Sequence, residues 1–171
     1  MVSFPARFML IGALNPSKSP VGDTIESWNT QDMLRLLKKF SHPFLDRIDM
    51  HIQVGNVPYE KLDQRKKGER SETIKLRVTE ARKIQMERFK YENIMVNADL
   101  EPPLIEKYCT PNAAAEDLLK LAMEKLSLSL RSYDKIIKCA RTIADLSGDA
   151  QINEIHVSEA LQYRILDRLL I

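Results

Sequence analysis

Arg131, Asn15 and Arg47 are the residues whose type and position could do chemistry, and each also has an ordinary alternative. Arg131 stands in the run 128–148, Leu-Ser-Leu-Arg-Ser-Tyr-Asp-Lys-Ile-Ile-Lys-Cys-Ala-Arg-Thr-Ile-Ala-Asp-Leu-Ser-Gly. A positive charge in the first turn of a helix opposes the helix dipole by roughly a few tenths of a kcal/mol. An anion such as a phosphate at the same helix end makes that position favourable. The alternative is that Arg131 reaches into water or pairs with a nearby carboxylate. Asn15 closes the apolar run 7–14, and the carboxyl ends of strands in open α/β sheets are where ligands bind. Read alone, Asn15-Pro16 is simply a turn. Arg47 lies between Asp46 and Asp49 in Phe44-Leu-Asp-Arg-Ile-Asp49. Read alone, it is a local ion pair with Asp46 or Asp49, worth under about 1 kcal/mol if exposed.

The elements that must position these residues follow from the pattern. Residues 128–148 form a capped helix: Ser129 is a favourable N-cap, and Gly148 falls where a helix C′ glycine belongs. Tyr133, Ile136, Ile137, Ala140 and Ala144 recur at helical spacing as one apolar stripe. Residues 7–14, Arg-Phe-Met-Leu-Ile-Gly-Ala-Leu, read as a buried parallel strand bounded by the turn at Asn15-Pro16. Residues 48–54 alternate Ile48, Met50, Ile52 and Val54 with Asp49, His51 and Gln53, the period of a half-buried strand.

Residues 17–29 read as loop, 30–40 as helix and 60–70 as a charged, solvated loop. A long helix is expected from Ser71 to about Phe89, with Ile74, Val78, Ala81 and Ile84 on one side. A connector at 97–103 and a short helix at 104–108 follow, then helices at about 112–126, 130–147 and 156–169, with Asn112 as a cap. The expected fold is therefore mainly α, two strands followed by a helical bundle.

Composition narrows the class. With 171 residues, 44% hydrophobic and 29% charged, the chain suits a globular protein of one domain or two small ones. A net charge of +2 gives no global attraction to nucleic acid, so any basic patch must be local. Lys75, Arg77, Arg82, Lys83 and Arg88 on the long helix are interleaved with Glu72, Glu80 and Glu87, which favours a solvated face over a nucleic-acid surface. No apolar run approaches a membrane span, and the N-terminus lacks a signal-peptide layout. Cys109 and Cys139 lie far apart, outside any metal motif. A reduced, cytoplasmic protein is expected, with no membrane partner.

The run 128–148, followed by His156-Val-Ser-Glu-Ala-Leu-Gln-Tyr-Arg164, resembles the C-terminal lid of magnesium-chelatase-like AAA+ ATPases, closest to their competence-related (ComM/YifB-like) branch. The resemblance covers nearly the whole chain and assigns roles. Arg131 matches the Ser-x-Arg arginine called sensor 2, which reaches from the lid to the nucleotide phosphates. Phe4-Pro-Ala-Arg-Phe8 matches the segment before the sensor-1 strand, so Asn15 would be sensor 1, orienting the attacking water in phosphoryl transfer. Arg47, in Leu45-Asp-Arg-Ile-Asp49, matches the arginine finger, reaching the nucleotide of a neighbouring subunit. The fold implied is a helical AAA+ lid bundle preceded by two strands left over from a truncated α/β P-loop ATPase core. Its divisions would be 1–58, the end of the ATPase core; 59–97, a charged linker and long helix; and 98–171, the lid with sensor 2.

Two motifs of that family are missing from the sequence. It holds no Gly-x-x-x-x-Gly-Lys-Ser/Thr phosphate loop, and no apolar strand ending in an Asp-Glu pair for magnesium. The expectation is a C-terminal fragment that cannot hydrolyse ATP alone, the parent binding ATP and Mg2+ and this portion holding neither tightly. The strands 8–14 and 48–54 would flank an absent central strand, leaving their edges unpaired. The branch usually follows Asn-Pro with a cysteine knuckle, but here the residues are Ser17-Lys18-Ser19-Pro20, and hydroxyls are poor zinc ligands, so no zinc is expected. The resemblance implies a ring, a hexamer of identical subunits, acting on DNA as a helicase-like motor for branch migration in recombination or natural transformation. Two other functions remain open at this level: a magnesium-chelatase motor that drives metal insertion into a porphyrin, or a non-catalytic helical interaction module. The segment 51–59 and the ending Ala160-Leu-Gln-Tyr-Arg164 resemble the competence branch more closely.

Overall fold

The computed structural model describes residues 8–14, 39–54 and 68–164. The chain divides into two compact units, residues 1–41 and 42–171. Of the first unit, residues 8–14 carry no regular secondary structure, and Phe8, Met9, Leu10, Ile11 and Leu14 are exposed. The strand expected there does not form. A strand needs a neighbour to satisfy its backbone N–H and C=O groups.

The second unit is mainly helical. Its described α-helices are α1 (His42–Leu45), α2 (Ser71–Arg88), α3 (Pro102–Tyr108), α4 (Ala113–Lys125), α5 (Leu130–Ser147) and α6 (Glu154–Gln162), with a 3-10 turn at Asn97–Asp99. Caps set most of these boundaries. Asn112 Oδ1 accepts from the Ala115 N–H at 2.8 Å and starts α4. Ser129 Oγ accepts from the Ser132 N–H at 3.1 Å and starts α5. Gly148, at φ 77°, ends α5 in the left-handed conformation that only glycine adopts without strain. Asn153 starts α6 two residues earlier than periodicity suggests. Its side chain accepts from the Ile155 and His156 N–H groups, while His156 Nδ1 accepts from the Asn153 N–H, a closed capping box. Pro102 and Pro103 open α3, where their missing N–H groups cost nothing.

Helix α5 is the centre of the bundle, with α2, the 3-10 turn, α3 and α6 against it, while α4 packs on α6. Ile136, Ile137, Ala140 and Ala144 of its expected stripe are fully buried, and Tyr133 is partly so. They meet Phe89, Leu119, Ile152 and Val157 in the core, with the Phe89 and Tyr108 rings edge to face at 5.3 Å. Cys109 and Cys139 are free thiols, and burial pushes both up to about 11, as suits packing residues rather than nucleophiles. The α3–α4 and α5–α6 connections are joined by a parallel bridge between Pro111 and Ile152.

A polar network fastens α2 to α5. Asp145, with no exposed side-chain surface, accepts from Arg88 Nη1 (2.8 Å) and Nη2, Asn97 Nδ2 (2.8 Å) and Arg141 Nε (3.1 Å). Arg141 also donates to the carbonyls of Ala150 (2.9 Å) and Asp149 (2.6 Å). Burial alone would raise the Asp145 carboxyl. The bonds from Arg88 and Asn97 and the charges of Arg141 and Arg88 outweigh burial and hold it below its ordinary value. Arg141 thus takes the i+4 carboxylate of its own helix as its partner.

Two further expectations need correction. The strand over 48–54 is reduced to one isolated parallel bridge, His51 with Arg164, while Met50, Ile52 and Val54 are exposed. The segment docks on the end of α6 rather than entering a sheet. On α2, Ala81 is buried but Ile74, Val78 and Ile84 are exposed, so only the C-terminal part of that helix reaches the core. Most of the helix expected at 30–40 and of the loop expected at 60–70 lies outside the described residues.

Candidate functional site

The site is built on the first two turns of α5. Arg131 is the second residue of that helix, and Lys135 lies one turn on along the same face. Against this face lies the turn that follows α1. Arg131 Nη1 donates to Asp46 Oδ2 at 2.9 Å, and Lys135 Nζ pairs with Asp49 Oδ1 at 3.1 Å. Arg164, 2% exposed, closes the arrangement by donating to the Ile48 carbonyl at 2.6 Å and to Ser132 Oγ at 3.3 Å. The His51 N–H donates to the Tyr163 carbonyl at 2.7 Å and fixes the far end of the segment.

The two aspartates therefore pair across the fold with α5 rather than with Arg47 between them. Arg47 is exposed and donates to the carbonyl of Pro43 at 2.6 Å, folded back on its own turn. Asp46 and Arg47 are consecutive yet face different ways, the carboxylate inward and the guanidinium outward.

Electrostatically, Arg131 and Lys135 are cations at the positive end of a helix, with Arg164 beside them, and Asp46 relieves the conflict. Burial pushes the Asp46 carboxyl up. The hydrogen bond from Arg131 and the charges of Arg131, Lys135 and Arg164 overcome that and lower it below the ordinary value. The Asp46 side chain is 16% exposed and that of Arg131 57% exposed, so the guanidinium keeps an open side facing solvent. Chemically, this is a cationic face whose present anion is a carboxylate of the same chain. A guanidinium that holds a carboxylate can hold a phosphate in the same manner.

Of the three candidates, Arg131 pairs with Asp46, the sequence neighbour of Arg47, while Arg47 itself faces away and makes no hydrogen bond with Arg131 among the described residues. Asn15 lies outside the described residues. Lys135 and Arg164 were not singled out from the sequence. Lys135 carried a usable signal, its i+4 spacing from Arg131, whereas Arg164 is brought in only by tertiary packing. Among the described residues no grouping of three His, Cys, Asp or Glu could hold a metal ion, and no helix is long and apolar enough to cross a membrane.

A lid-like helical bundle with an arginine at the head of its central helix defines the class, and sequence comparison agrees with it. Residues 68–164 match the family model "Magnesium chelatase, subunit ChlI C-terminal", and residues 1–62 match "Magnesium chelatase, subunit ChlI". The chain belongs to this family and carries its C-terminal portion, in the branch of the ComM and YifB proteins. It is 42% identical over 173 residues to competence protein ComM of Haemophilus influenzae, an alignment covering 99% of this chain and 33% of that protein. It is 40% identical over 174 residues to YifB of Salmonella typhimurium, with the same coverage, and 30% identical over 171 residues to Mb2921c of Mycobacterium bovis, covering 94% of this chain and 32% of that protein. The chain spans about a third of the length of these relatives.

Proposed function

We propose that this chain is the lid end of an AAA+ ATP-driven motor in which Arg131 reads the phosphates of the nucleotide. The observation that carries the proposal is the open guanidinium of Arg131 at the head of α5, held by a carboxylate that a phosphate could replace. The cations gathered there suit a polyanion: Arg131 would hold a phosphate directly, with Lys135 and Arg164 adding positive potential. ATP with Mg2+ is the cofactor of the longer protein, and its role is to supply a phosphoryl group whose transfer drives motion. No metal ligand is assigned to the described residues, and neither tight nucleotide binding by this portion alone nor zinc is part of the proposal.

Arg47 would act in trans, its outward guanidinium neutralising charge on the nucleotide of the neighbouring subunit in a ring, a hexamer. Asn15 would orient the attacking water. The work done is DNA processing, branch migration in recombination or natural transformation. Support for that comes from the match to a protein named for competence along 99% of this chain.

The test is ATP turnover by the full-length protein. Arg131→Ala should lower turnover about a hundredfold or more, the scale for loss of one charge-stabilising contact. Arg47→Ala should do the same and recover when mixed with subunits that are intact at Arg47 but defective at Arg131. Undiminished turnover in the Arg131 variant would refute the proposal.

A further inference from the structure

We infer that Asp46 competes with nucleotide phosphate for Arg131, so that filling a subunit's own site frees the turn that carries Arg47. The inference rests on the reading of Arg131 given above and adds the regulation of that site. Asp46 and Arg47 are neighbours on one short turn. Helix α1 has four residues, too few to hold a position by its own hydrogen bonds. Its placement depends on contacts with the bundle: the buried Leu45 side chain, the pairs Asp46–Arg131 and Asp49–Lys135, and the bonds of Ile48 and His51 to the end of α6. Asp46–Arg131 is made by the residue next to Arg47 in sequence. It is also the one whose cation has an open side toward solvent.

A phosphate carries more charge than a carboxylate and offers more acceptor oxygens to a guanidinium, so it takes Arg131 in preference. Asp46 then loses its hydrogen-bonded partner while Lys135 remains occupied with Asp49. The turn is then held by buried Leu45 on one side and from Ile48 onward on the other, and Asp46 and Arg47 between them lose their side-chain tie to the bundle. Arg47 is at present folded back on the Pro43 carbonyl. A released turn allows it to extend toward a neighbouring subunit. Asp46 is thus a positioning residue, coupling the two arginines, and binding linkage makes the coupling reciprocal.

The test is a thermodynamic cycle in the full-length protein, read as the dissociation constant of the non-hydrolysable analogue adenylyl-imidodiphosphate with Mg2+. Asp46→Asn should tighten binding about two- to five-fold, the range for releasing one partly exposed ion pair. Glu116→Gln, which removes the same charge from the exposed Glu116–Lys120 pair on α4, should leave binding unchanged. Arg131→Ala should weaken binding, and adding Asp46→Asn to it should change nothing further. Tightening is a result that a merely damaged fold does not give. In the unmodified protein, amide exchange over residues 44–47 should quicken when the analogue binds. An Asp46→Asn variant that binds no tighter beside a weakened Arg131→Ala variant overturns the competition alone, as does unchanged exchange at 44–47. An Arg131→Ala variant that binds normally overturns the reading of Arg131 and the competition with it.

Discussion

Replacing Asp145 by Asn keeps the shape of the side chain and removes its charge from between Arg88 and Arg141. Asp145 has no exposed side-chain surface, Arg141 is 3% exposed and Arg88 15%. An Asn side chain retains one acceptor oxygen but turns an NH2 donor toward one of the two guanidinium groups. Arg141 keeps its bonds to the carbonyls of Asp149 and Ala150 but loses its counter-charge. Breaking a buried pair by removing one partner costs about 3–5 kcal/mol. Arg88, slightly exposed, can turn toward water, so about 3 kcal/mol is the better expectation. With total stability of about 5–15 kcal/mol for a domain of this kind, the loss is a large share of the whole. At a urea slope of about 2 kcal/mol per molar, the midpoint should fall by about 1.5 M. Urea unfolding followed by far-UV circular dichroism measures this directly. Glu80→Gln, which breaks the exposed Glu80–Lys83 pair, serves as control and should leave the midpoint in place. A midpoint shift for Asp145→Asn no larger than that of the control would refute the claim that this network fastens α2 to α5.

Two further outcomes follow from the same chemistry. Asp145 and Asp46 both titrate below their ordinary value of 3.8 in the folded chain, so the folded state binds fewer protons than the unfolded one in that range. Their contribution is complete above that value and is lost as pH falls through the native one, so unfolding midpoints should drop steeply below about pH 4. Asp145→Asn should flatten that drop, and a pH series of urea curves checks it. Gly148→Ala should cost about 1 kcal/mol in thermal or urea unfolding, because φ is 77° there while the space around an added Cβ is open. A neutral result would show that the end of α5 rearranges without cost.

Helix α5 was readable in the sequence because its signals are local: a serine cap, an apolar stripe and a glycine in the left-handed conformation. The start of α6 was missed by two residues because Asn153 and His156 close a box that periodicity does not register. The strands failed for the opposite reason, since alternation in 48–54 reports a preference that only a paired edge can realise. The site was half legible. Arg131 and Arg47 were marked by their positions, but the partner of Arg131 lies 85 residues away in sequence. Placing Asp46 beside Arg47 in sequence suggested a local pair, whereas the fold sends the carboxylate across to α5. Arg88 appeared as one more basic residue on a solvated helix, and its partner Asp145 lies 57 residues on. Residue type and spacing mark charges well, but long-range pairing belongs to the tertiary fold.

Among the described residues, helix α2 is held at one end. Its 18 residues extend about 27 Å at 1.5 Å per residue, and its anchors, Ala81, Gln85, Arg88 and the adjoining Phe89, all lie in its second half. Such an element is a cantilever with its hinge in the bundle. A tilt of about 5° at Phe89 carries the far tip through about 2 Å, given that length. Shifts at the foot of α5, too small to disturb its packing, are therefore enlarged at the tip of α2 into displacements comparable to a side chain's reach.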